Sequence, residues 1–398
     1  MSIAQSGTSA RLDVAIVGGG LAGGLTALAL VRAQPDLDFA LFESGDSFGG
    51  NHRWSWFEGD LDADGAALFD AFAITEWTGG NDVRFPAHSR TLSANYHSLD
   101  SRDFDAGLRR HLPQDTIRCN ARVMGLDGAG ITLESGERVS ARCVIDCREA
   151  LPSEHLTGGW QVFLGQHLRT SAPHGIDRPV IMDASVDQHG AYRFVYLLPL
   201  GKHDIFVEDT YYADSPKLDA DALRDRIARY CDRHGWQADI VHEETGVLPV
   251  ITGGDFAAYR ASLATAGVAL AGARGGFTHP LTSYTMPIAV ENALAIAKAA
   301  GGDLNDLPDF VESRAQAHWK RTAYYRMLGK MLFQAAAPEE RYRVFERFYR
   351  LPEPLIERFY AARSTPLDKL RILIGKPPVS VTRAFPALLG KGAPLVQG

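Results

Sequence analysis

The N-terminal region contains the sequence Asp13-Val-Ala-Ile-Val-Gly18-Gly-Gly20-Leu21-Ala22-Gly23, in which an apolar run leads into the motif G-x-G-x-x-G. This pattern predicts a strand, a tight turn at Gly18 and a helix. Gly20 lets backbone N–H groups approach a pyrophosphate at the helix N-terminus, and Gly23 lets the helix pack closely on the strand. The sequence therefore predicts a dinucleotide site that includes Leu21 and Ala22.

A second predicted strand, Phe39-Ala-Leu-Phe-Glu43, supports this site. Glu43 follows the glycines by about twenty residues, where an acidic side chain binds ribose hydroxyls. The alternative is a glycine-rich turn that binds no ligand. Gly49, Gly50 and Asn51 follow closely, an order that resembles two-domain FAD proteins, and we expect these three residues to contact the flavin or pyrophosphate. Residues 125–130 read as a hairpin turn, so a separate pyridine-nucleotide domain is not expected.

Composition is that of an ordinary globular protein of 398 residues with a formal net charge of −7. Its four cysteines form no C-x-x-C pair, so we expect reduced thiols and no metal site. Residues 1–10 lack the apolar core of a secretory signal, and no apolar run approaches the length of a membrane span. These features predict a soluble or peripheral protein.

The charge is unevenly distributed. Residues 314–376 hold 14 Lys or Arg and 6 Asp or Glu, a local charge of +8 in a region rich in aromatic residues. Apolar residues recur there at helical spacing, which favours buried or membrane-facing helices over nucleic-acid binding. We expect a helical region at a membrane surface, where cations meet anionic lipid. A helical cap with a solvated basic face is the alternative.

The pattern of elements predicts an α/β fold. A Rossmann-type FAD-binding domain takes up residues 1–150 and returns at 263–302, a β-sheet substrate domain takes up 151–262, and a basic helical region takes up 303–398. Within the first domain we expect a helix from Arg102 to Leu112 and strands at 117–123, 130–133 and 138–144. The second domain is expected to hold strands at 160–164, 180–183, 192–198 and 205–210 and a helix at 218–235. A strand at 268–271 and a helix at 286–300 would return the chain to the first domain.

Five blocks, in the same order and over nearly the whole chain, resemble the bacterial lycopene β-cyclases of carotenoid biosynthesis. They are Gly49-Gly-Asn-His-Arg-Trp-Ser55, Tyr192-Arg-Phe-Val-Tyr196, Val207-Glu-Asp-Thr210, Thr278-His-Pro-Leu-Thr-Ser-Tyr-Thr-Met-Pro287, and Arg347-Phe-Tyr through Gly375-Lys-Pro-Pro-Val379.

The resemblance implies an isomerase that converts lycopene, by way of γ-carotene, into β-carotene. The cofactor would be reduced FAD, with NAD(P)H as its reductant and no net electron transfer to the substrate. A proton adds at C2, the C5–C6 double bond attacks the cation at C1, and loss of the C6 proton completes the ring. The protein would be cytoplasmic and bound peripherally to the inner membrane of a bacterium.

The resemblance also assigns residues. Glu208 matches the acidic motif of the cyclases and is the candidate acid or cation stabiliser, because a carboxyl in an apolar pocket keeps its proton near neutral pH. Asp209 points to the opposite face of the strand, so at most one of the two should face the cavity. The alternative for Glu208 is an edge-strand acid paired with Arg193. His279 resembles a residue in the segment under the flavin, with a turn residue as the alternative.

Arg102 resembles an arginine that related flavoproteins aim at the cofactor, although it is equally consistent with a helix-surface cation. Gly276 belongs to the glycine-rich segment before the last helix of the FAD domain. Two positions depart from the expected patterns: Ala273 follows Gly272 where flavin hydroxylases have an aspartate, and Ser283 stands where many cyclases have glycine.

The competing interpretations are an NAD(P)H-dependent flavin monooxygenase or reductase acting on a prenyl lipid, and a non-catalytic carotenoid-binding protein. The missing aspartate argues against the hydroxylase, and a carotenoid carrier has no need for a flavin site.

Overall fold

The structure is a computed structural model that describes residues 11–150, 152–374 and 390–396. The N-terminal residues 1–10 and the block 375–379, both used above, lie outside the described residues.

The strands, in chain order, are β1 (Leu12–Val17), β2 (Phe39–Phe42), β3 (Arg53–Phe57), β4 (Thr75–Trp77), β5 (Asn81–Phe85), β6 (His88–Leu92), β7 (Tyr96–Asp100), β8 (Ile117–Arg118), β9 (Val123–Asp127), β10 (Gly130–Leu133), β11 (Arg138–Asp146), β12 (Ser153–Thr170), β13 (Val180–Asp183), β14 (Tyr192–Pro199), β15 (Asp204–Ala213), β16 (Ala238–Gly254), β17 (Val268–Leu270) and β18 (Pro394–Leu395). The α-helices are α1 (Leu21–Ala33), α2 (Ala63–Leu68), α3 (Ser101–His111), α4 (Ala220–Arg233), α5 (Phe256–Leu263), α6 (Met286–Ala299), α7 (Leu307–Arg321), α8 (Ala323–Ala335), α9 (Tyr342–Phe348), α10 (Glu353–Tyr360) and α11 (Pro366–Leu373).

The first sheet has the order β8-β2-β1-β11-β10-β9, and β17 pairs with β11. Strand β1 runs parallel to β2 and β11, and β17 runs parallel to β11, so the chain returns to this sheet as predicted. Strands β9 and β10 form the predicted antiparallel hairpin. Helices α1 and α6 pack together beside the sheet and contribute to one apolar core. This arrangement confirms the α/β fold with a Rossmann-type unit.

The prediction of one strand from Ile117 to Val123 was wrong. Residues 117–118 pair in parallel with β2, and β9 begins only at Val123. Asn120 adopts a left-handed conformation with φ 52°, and its N–H bonds to the carbonyl of Gly45. That local turn interrupts the strand.

The second sheet has the order β16-β12-β15-β14-β13-β5-β6, and β18 pairs with β12. Strand β5 runs parallel to β13, although it lies before residue 150. The predicted boundary at residue 150 therefore does not separate the two sheets, because β5 and β6 join the second sheet before the chain returns to the first sheet at β8. A third, smaller sheet has the order β3-β7-β4.

The C-terminal helices cover the second sheet. Helix α8 packs on β16, and most of the aromatic residues of this region join those of the sheet in one buried cluster. Its C-terminal members include Tyr325, Phe345, Phe348, Tyr349 and Phe359. These aromatics therefore form a cap and are buried, which is one of the two alternatives that their helical spacing left open, because their rings pack against the sheet.

In the described part of the chain, no helix is long and apolar enough to cross a bilayer. The four cysteines are free thiols. Among the residues that the structure describes, no group of three or more His, Cys, Asp or Glu side chains is placed to hold a metal ion.

The turn between β1 and α1 has the geometry that its glycines predict. Gly18 has a φ of 99°, and a Cβ at Gly23 would lie 1.9 Å from the carbonyl oxygen of Gly18. A Cβ at Gly20 would meet no atom within 4 Å. The close approach at Gly23 holds α1 against the strand, whereas the space beside Gly20 is open.

We expect Gly23→Ala to lower the free energy of unfolding by about 1–3 kcal/mol, because the added methyl must push α1 away from the turn. Urea denaturation followed by circular dichroism measures the change. Gly20→Ala is the matched control and should lower the free energy of unfolding by less than about 1 kcal/mol, because its methyl enters open space. Equal stabilities of the two variants would contradict this packing.

Candidate functional site

A cavity of about 1070 Å³ extends from the glycine turn of the first sheet to the face of the second sheet. Its wall includes most of the residues predicted to bind the cofactor, namely Gly18, Gly20, Leu21, Ala22, Glu43, Gly49, Gly50 and Gly276. The same cavity is lined by Glu208 and by residues of β12, β14 and β16. The dinucleotide turn and the second sheet therefore share one cavity.

The residues at the turn fit a dinucleotide. The N-terminus of α1 opens into the cavity at Gly20, where there is room for a pyrophosphate. Glu43 follows β2, and its carboxylate accepts hydrogen bonds from the backbone N–H groups of Gly19 and Gly45, both at 2.8 Å. These contacts fix the carboxylate beside the turn, where ribose hydroxyls would lie.

Two residues predicted to contact the cofactor, Asn51 and Arg102, do not line the large cavity. Asn51 is exposed, and its amide donates to the carbonyl of Glu243 at 3.0 Å. The side chain of Arg102 is 64% exposed and donates to Asp100 at 3.1 Å. Arg102 lines a separate small cavity, so its position matches the helix-surface alternative. We therefore correct the prediction that Asn51 and Arg102 contact the cofactor in the large cavity, because neighbouring surface groups hold their side chains.

Gly23 supports the turn through packing and is not part of the cavity wall. Ala273 does line the cavity, at the position where flavin hydroxylases have an aspartate. Ser283 adopts the left-handed conformation with φ 55°, which explains a preference for glycine at this position. Its hydroxyl donates to the carbonyl of Pro249 at 2.8 Å and helps to hold the unusual backbone.

Glu208 faces the cavity from the middle of β15. The hydroxyl of Thr210, two residues along the same face, donates to its carboxyl at 2.6 Å. Burial raises the pKa of Glu208 to about 7, while the Thr210 hydrogen bond opposes this shift. The group keeps some accessible surface only because it borders the cavity. A carboxyl in this position holds a proton near neutral pH.

Asp209 occupies the opposite face of β15, as strand geometry predicts. Its side chain is fully buried and makes a bidentate ion pair with Arg193, with the shortest N–O distance at 2.8 Å. The pairing with Arg193 considered for Glu208 therefore belongs to Asp209. This is a correction to its assignment as a catalytic residue, because the ion pair holds the carboxylate away from the cavity.

His279 is fully buried and organises a turn. Its Nδ1 accepts hydrogen bonds from the backbone N–H groups of Leu281 and Thr282, and its Nε2 lies 3.1 Å from the carbonyl of Phe359. Burial lowers the pKa of His279 to about 3, so the ring is neutral. Both nitrogens are occupied by backbone, which corrects the catalytic assignment in favour of a turn residue.

The sequence reasoning missed Glu244, a buried residue of β16 that also lines the cavity. Strand β16 was not predicted, although the apolar run Val247 to Ile251 is a signal for its second half. Without that strand, nothing in the sequence distinguishes Glu244 from the other polar residues of the run His242-Glu243-Glu244-Thr245.

The walls around Glu208 are rich in aromatic rings. The cavity-lining tyrosines are Tyr96, Tyr196, Tyr212, Tyr259, Tyr284, Tyr349 and Tyr360, and Phe57, Phe163 and Phe194 join them. Tyr196 lies directly opposite Glu208 in the pairing of β14 with β15. Aromatic faces attract cations, and they contribute apolar surface that favours a hydrocarbon.

A family model described as "Lycopene cyclase protein" matches residues 13–385. The chain belongs to the lycopene cyclase family. Proteins named "Lycopene beta-cyclase" are similar over most of their length. The one from Pseudescherichia vulneris is 42% identical over 380 residues, covering 95% of this chain and 97% of that protein. The one from Paracoccus sp. (strain N81106 / MBIC 01143) is 40% identical, covering 94% and 97%.

Solved structures similar to this lycopene cyclase family member share its fold. A geranylgeranyl bacteriochlorophyll reductase-like protein from Thermoplasma acidophilum superposes with a TM-score of 0.63 at 14% identity, covering 95% of this chain and 99% of that one. The flavin-dependent brominase Bmp2 has a TM-score of 0.60 at 15% identity, covering 89% and 94%. These likenesses support the two-sheet architecture.

We expect Asp209→Asn to lower the free energy of unfolding by about 3–5 kcal/mol, because it leaves the charge of Arg193 buried without a counter-charge. Urea denaturation measures the loss. The control is Asp127→Asn, which removes an exposed ion pair with Arg138. This variant should leave the midpoint of urea denaturation unchanged. Equal midpoints for both variants would mean that the buried pair contributes nothing to stability.

Proposed function

We propose that this protein is a lycopene β-cyclase that closes the ψ-ends of lycopene into β-ionone rings by way of γ-carotene. The observation that carries the proposal is the position of Glu208, a carboxyl on an aromatic wall in the same cavity as the dinucleotide turn. The family and the named relatives supply the reaction, and the cavity supplies groups that suit it.

The reaction needs three things from the protein. A protonated carboxyl must add H⁺ to C2, the cations at C1 and then C5 must be stabilised without water, and a base must remove the C6 proton. The raised pKa of Glu208 suits proton transfer near neutral pH, because burial weakens its ionised form. The tyrosine and phenylalanine rings stabilise the cation by cation–π attraction and exclude the water that would convert it into an alcohol.

The cofactor proposed for the turn is FAD in its reduced form, with NAD(P)H as the reductant. The N-terminus of α1, Glu43, Gly49, Gly50 and Gly276 would hold it. When bound and reduced, FAD would supply an electron-rich ring system that stabilises the developing cation. The reductant primes the cofactor and is not consumed with each ring.

We expect Glu208→Gln to abolish β-carotene formation while FAD stays bound, because the amide cannot exchange a proton with the substrate. Purified protein, lycopene in liposomes and chemically reduced FAD are incubated without oxygen, and the pigments are separated by chromatography. The wild type should form more than one ring per reduced flavin. β-Carotene from the variant at a near-normal rate would contradict the role of Glu208.

The alternative function, a flavin monooxygenase or reductase acting on a prenyl lipid, predicts a different stoichiometry. It consumes one NAD(P)H for each product and adds oxygen or hydrogen to the substrate. Oxygenated or hydrogenated carotenoids that form only with continuing reductant consumption would favour this alternative.

We also propose that helix α11 binds the protein peripherally to an anionic membrane surface, on the cytoplasmic side of a bacterial inner membrane. Its exposed apolar residues Leu367, Leu370, Leu373 and Ile374 recur at helical spacing, and Lys369 and Arg371 lie between them. Apolar side chains that enter the headgroup region and cations that meet anionic lipid are the two elements of such binding. The protein would take up its hydrocarbon substrate from the same membrane.

The double variant Leu367→Glu and Leu370→Glu should reduce binding to phosphatidylglycerol vesicles at least about tenfold. Each leucine that enters the membrane contributes about 1.5–3 kcal/mol to the binding free energy. Co-sedimentation measures binding. Met124→Glu, at an exposed apolar residue of β9, is the matched control and should bind as the wild type does. Unchanged binding of the double variant would exclude α11 as the membrane contact.

A further inference from the structure

The second sheet carries a row of four residues directly opposite one another on adjacent strands. Tyr196 pairs with Glu208, Glu208 pairs with Gly165, and Gly165 pairs with Glu244. Residues opposite each other in a sheet project from the same face, and neighbouring strands lie about 4.8 Å apart. Glu208 and Glu244 therefore project from the same face with Cα atoms roughly 10 Å apart.

Both carboxyl groups line the large cavity. Strand β12, which carries Gly165, lies between the strands of the two acids. The ring of Phe206 lies over Gly165, and a Cβ added at Gly165 would be 2.3 Å from that ring. The sheet thus provides two acids on one face, with an aromatic ring between them. The carbon atoms that gain and lose a proton, C2 and C6, are both bonded to C1 once the ring has closed, so both would lie close together above this pair of acids.

The surroundings of the two acids differ. Glu208 accepts a hydrogen bond from Thr210, which stabilises its ionised form. Burial, and then the neighbouring Glu208, raise the pKa of Glu244 to about 9, with Arg53 opposing the shift. Burial raises the pKa of Glu208 only to about 7. At neutral pH, Glu244 is the acid that keeps its proton and Glu208 is the one that ionises first.

Glu244 also borders the small cavity mentioned above. That cavity measures about 10 Å³, close to the space that one water needs, and it is lined by His52, Asp100, Arg102, His167, His242 and Glu244 among others. His52 and Arg102 reach the surface. Glu244 therefore separates the dry reaction space from polar groups that exchange protons with solvent.

We propose that Glu244 donates the proton to C2 and that Glu208 accepts the proton from C6. This division of roles rests on the proposed cyclase function. The O–H bond of Glu244 breaks as the electrons of the C1–C2 double bond form the new C2–H bond. The electrons of the C5–C6 double bond form the C1–C6 bond, and the C6–H electrons then restore a double bond between C5 and C6.

The proton balance closes after each ring. The proton that Glu208 gains balances the one that Glu244 has lost. Glu244 regains a proton from solvent through the polar groups of the small cavity, and Glu208 releases its proton to solvent when the product leaves. The charge of Arg53 stabilises the Glu244 carboxylate in the interval, since Arg53 is held next to it by Asp100 at 3.0 Å.

The test compares Glu244→Gln and Glu208→Gln in single-turnover reactions with reduced FAD, scoring lycopene consumption and product identity. For Glu244→Gln we expect lycopene consumption at least about 100-fold slower, no ring products, and unchanged FAD content. For Glu208→Gln we expect consumption to continue more slowly, with the cation diverted to rings with a misplaced double bond or to alcohols.

Glu243→Gln is the matched control. Glu243 is adjacent to Glu244 but projects from the other face, where it bonds to Gln166 and Arg224. Its variant should stay within about twofold of the wild type. Near-normal turnover by Glu244→Gln, or misplaced double bonds from Glu244→Gln instead of Glu208→Gln, would overturn the assignment.

A second variant, Glu244→Asp, covers the case in which Glu244→Gln fails to fold. Its carboxyl is withdrawn by one methylene, so consumption should slow at least about tenfold while the product remains β-carotene alone, because the acceptor is intact. Ring isomers from Glu244→Asp would overturn the proposal. A wild type that forms no β-carotene in the same assay would contradict the proposed function itself.

Discussion

Desolvation of the carboxyl groups on the second sheet is the interaction on which the proposed chemistry depends. An alkene is a weak base, so its protonation needs a carboxyl that still holds its proton near neutral pH, and burial among apolar groups provides this. The same exclusion of water protects the cation. The two sheets and the helical cap together build the cavity that keeps Glu208 and Glu244 dry.

The alternation of side chains along a strand separates reactive from structural acids. Glu208 and Asp209 are neighbours in sequence, but one borders the cavity and the other pairs with Arg193 in the core. Glu243 and Glu244 repeat the arrangement on β16, where Glu243 bonds to Arg224 on the far side. Arginine partners hold the acids on one face ionised in ion pairs, whereas burial raises the pKa values of the acids on the cavity face.

Much of the fold and part of the site could be predicted from the sequence. The glycine motif specifies a local turn, so Gly18 and Gly23 behave as their spacing indicates. Glu244 was missed because its role depends on the pairing of β16 with β12, a contact between residues about eighty positions apart. The burial of Tyr325 was left open for a similar reason, since helical spacing does not distinguish a side chain that faces a membrane from one that packs against a sheet.

The most direct measurement is the isotope content of the product formed in D₂O. Wild-type protein with reduced FAD and lycopene is incubated without oxygen, and the carotenoids are analysed by mass spectrometry. Redox-neutral cyclisation by exchangeable carboxyl groups predicts β-carotene with one deuterium for each ring and no change in oxidation level. A product without deuterium, or one that carries added hydrogen from the reductant, would contradict it.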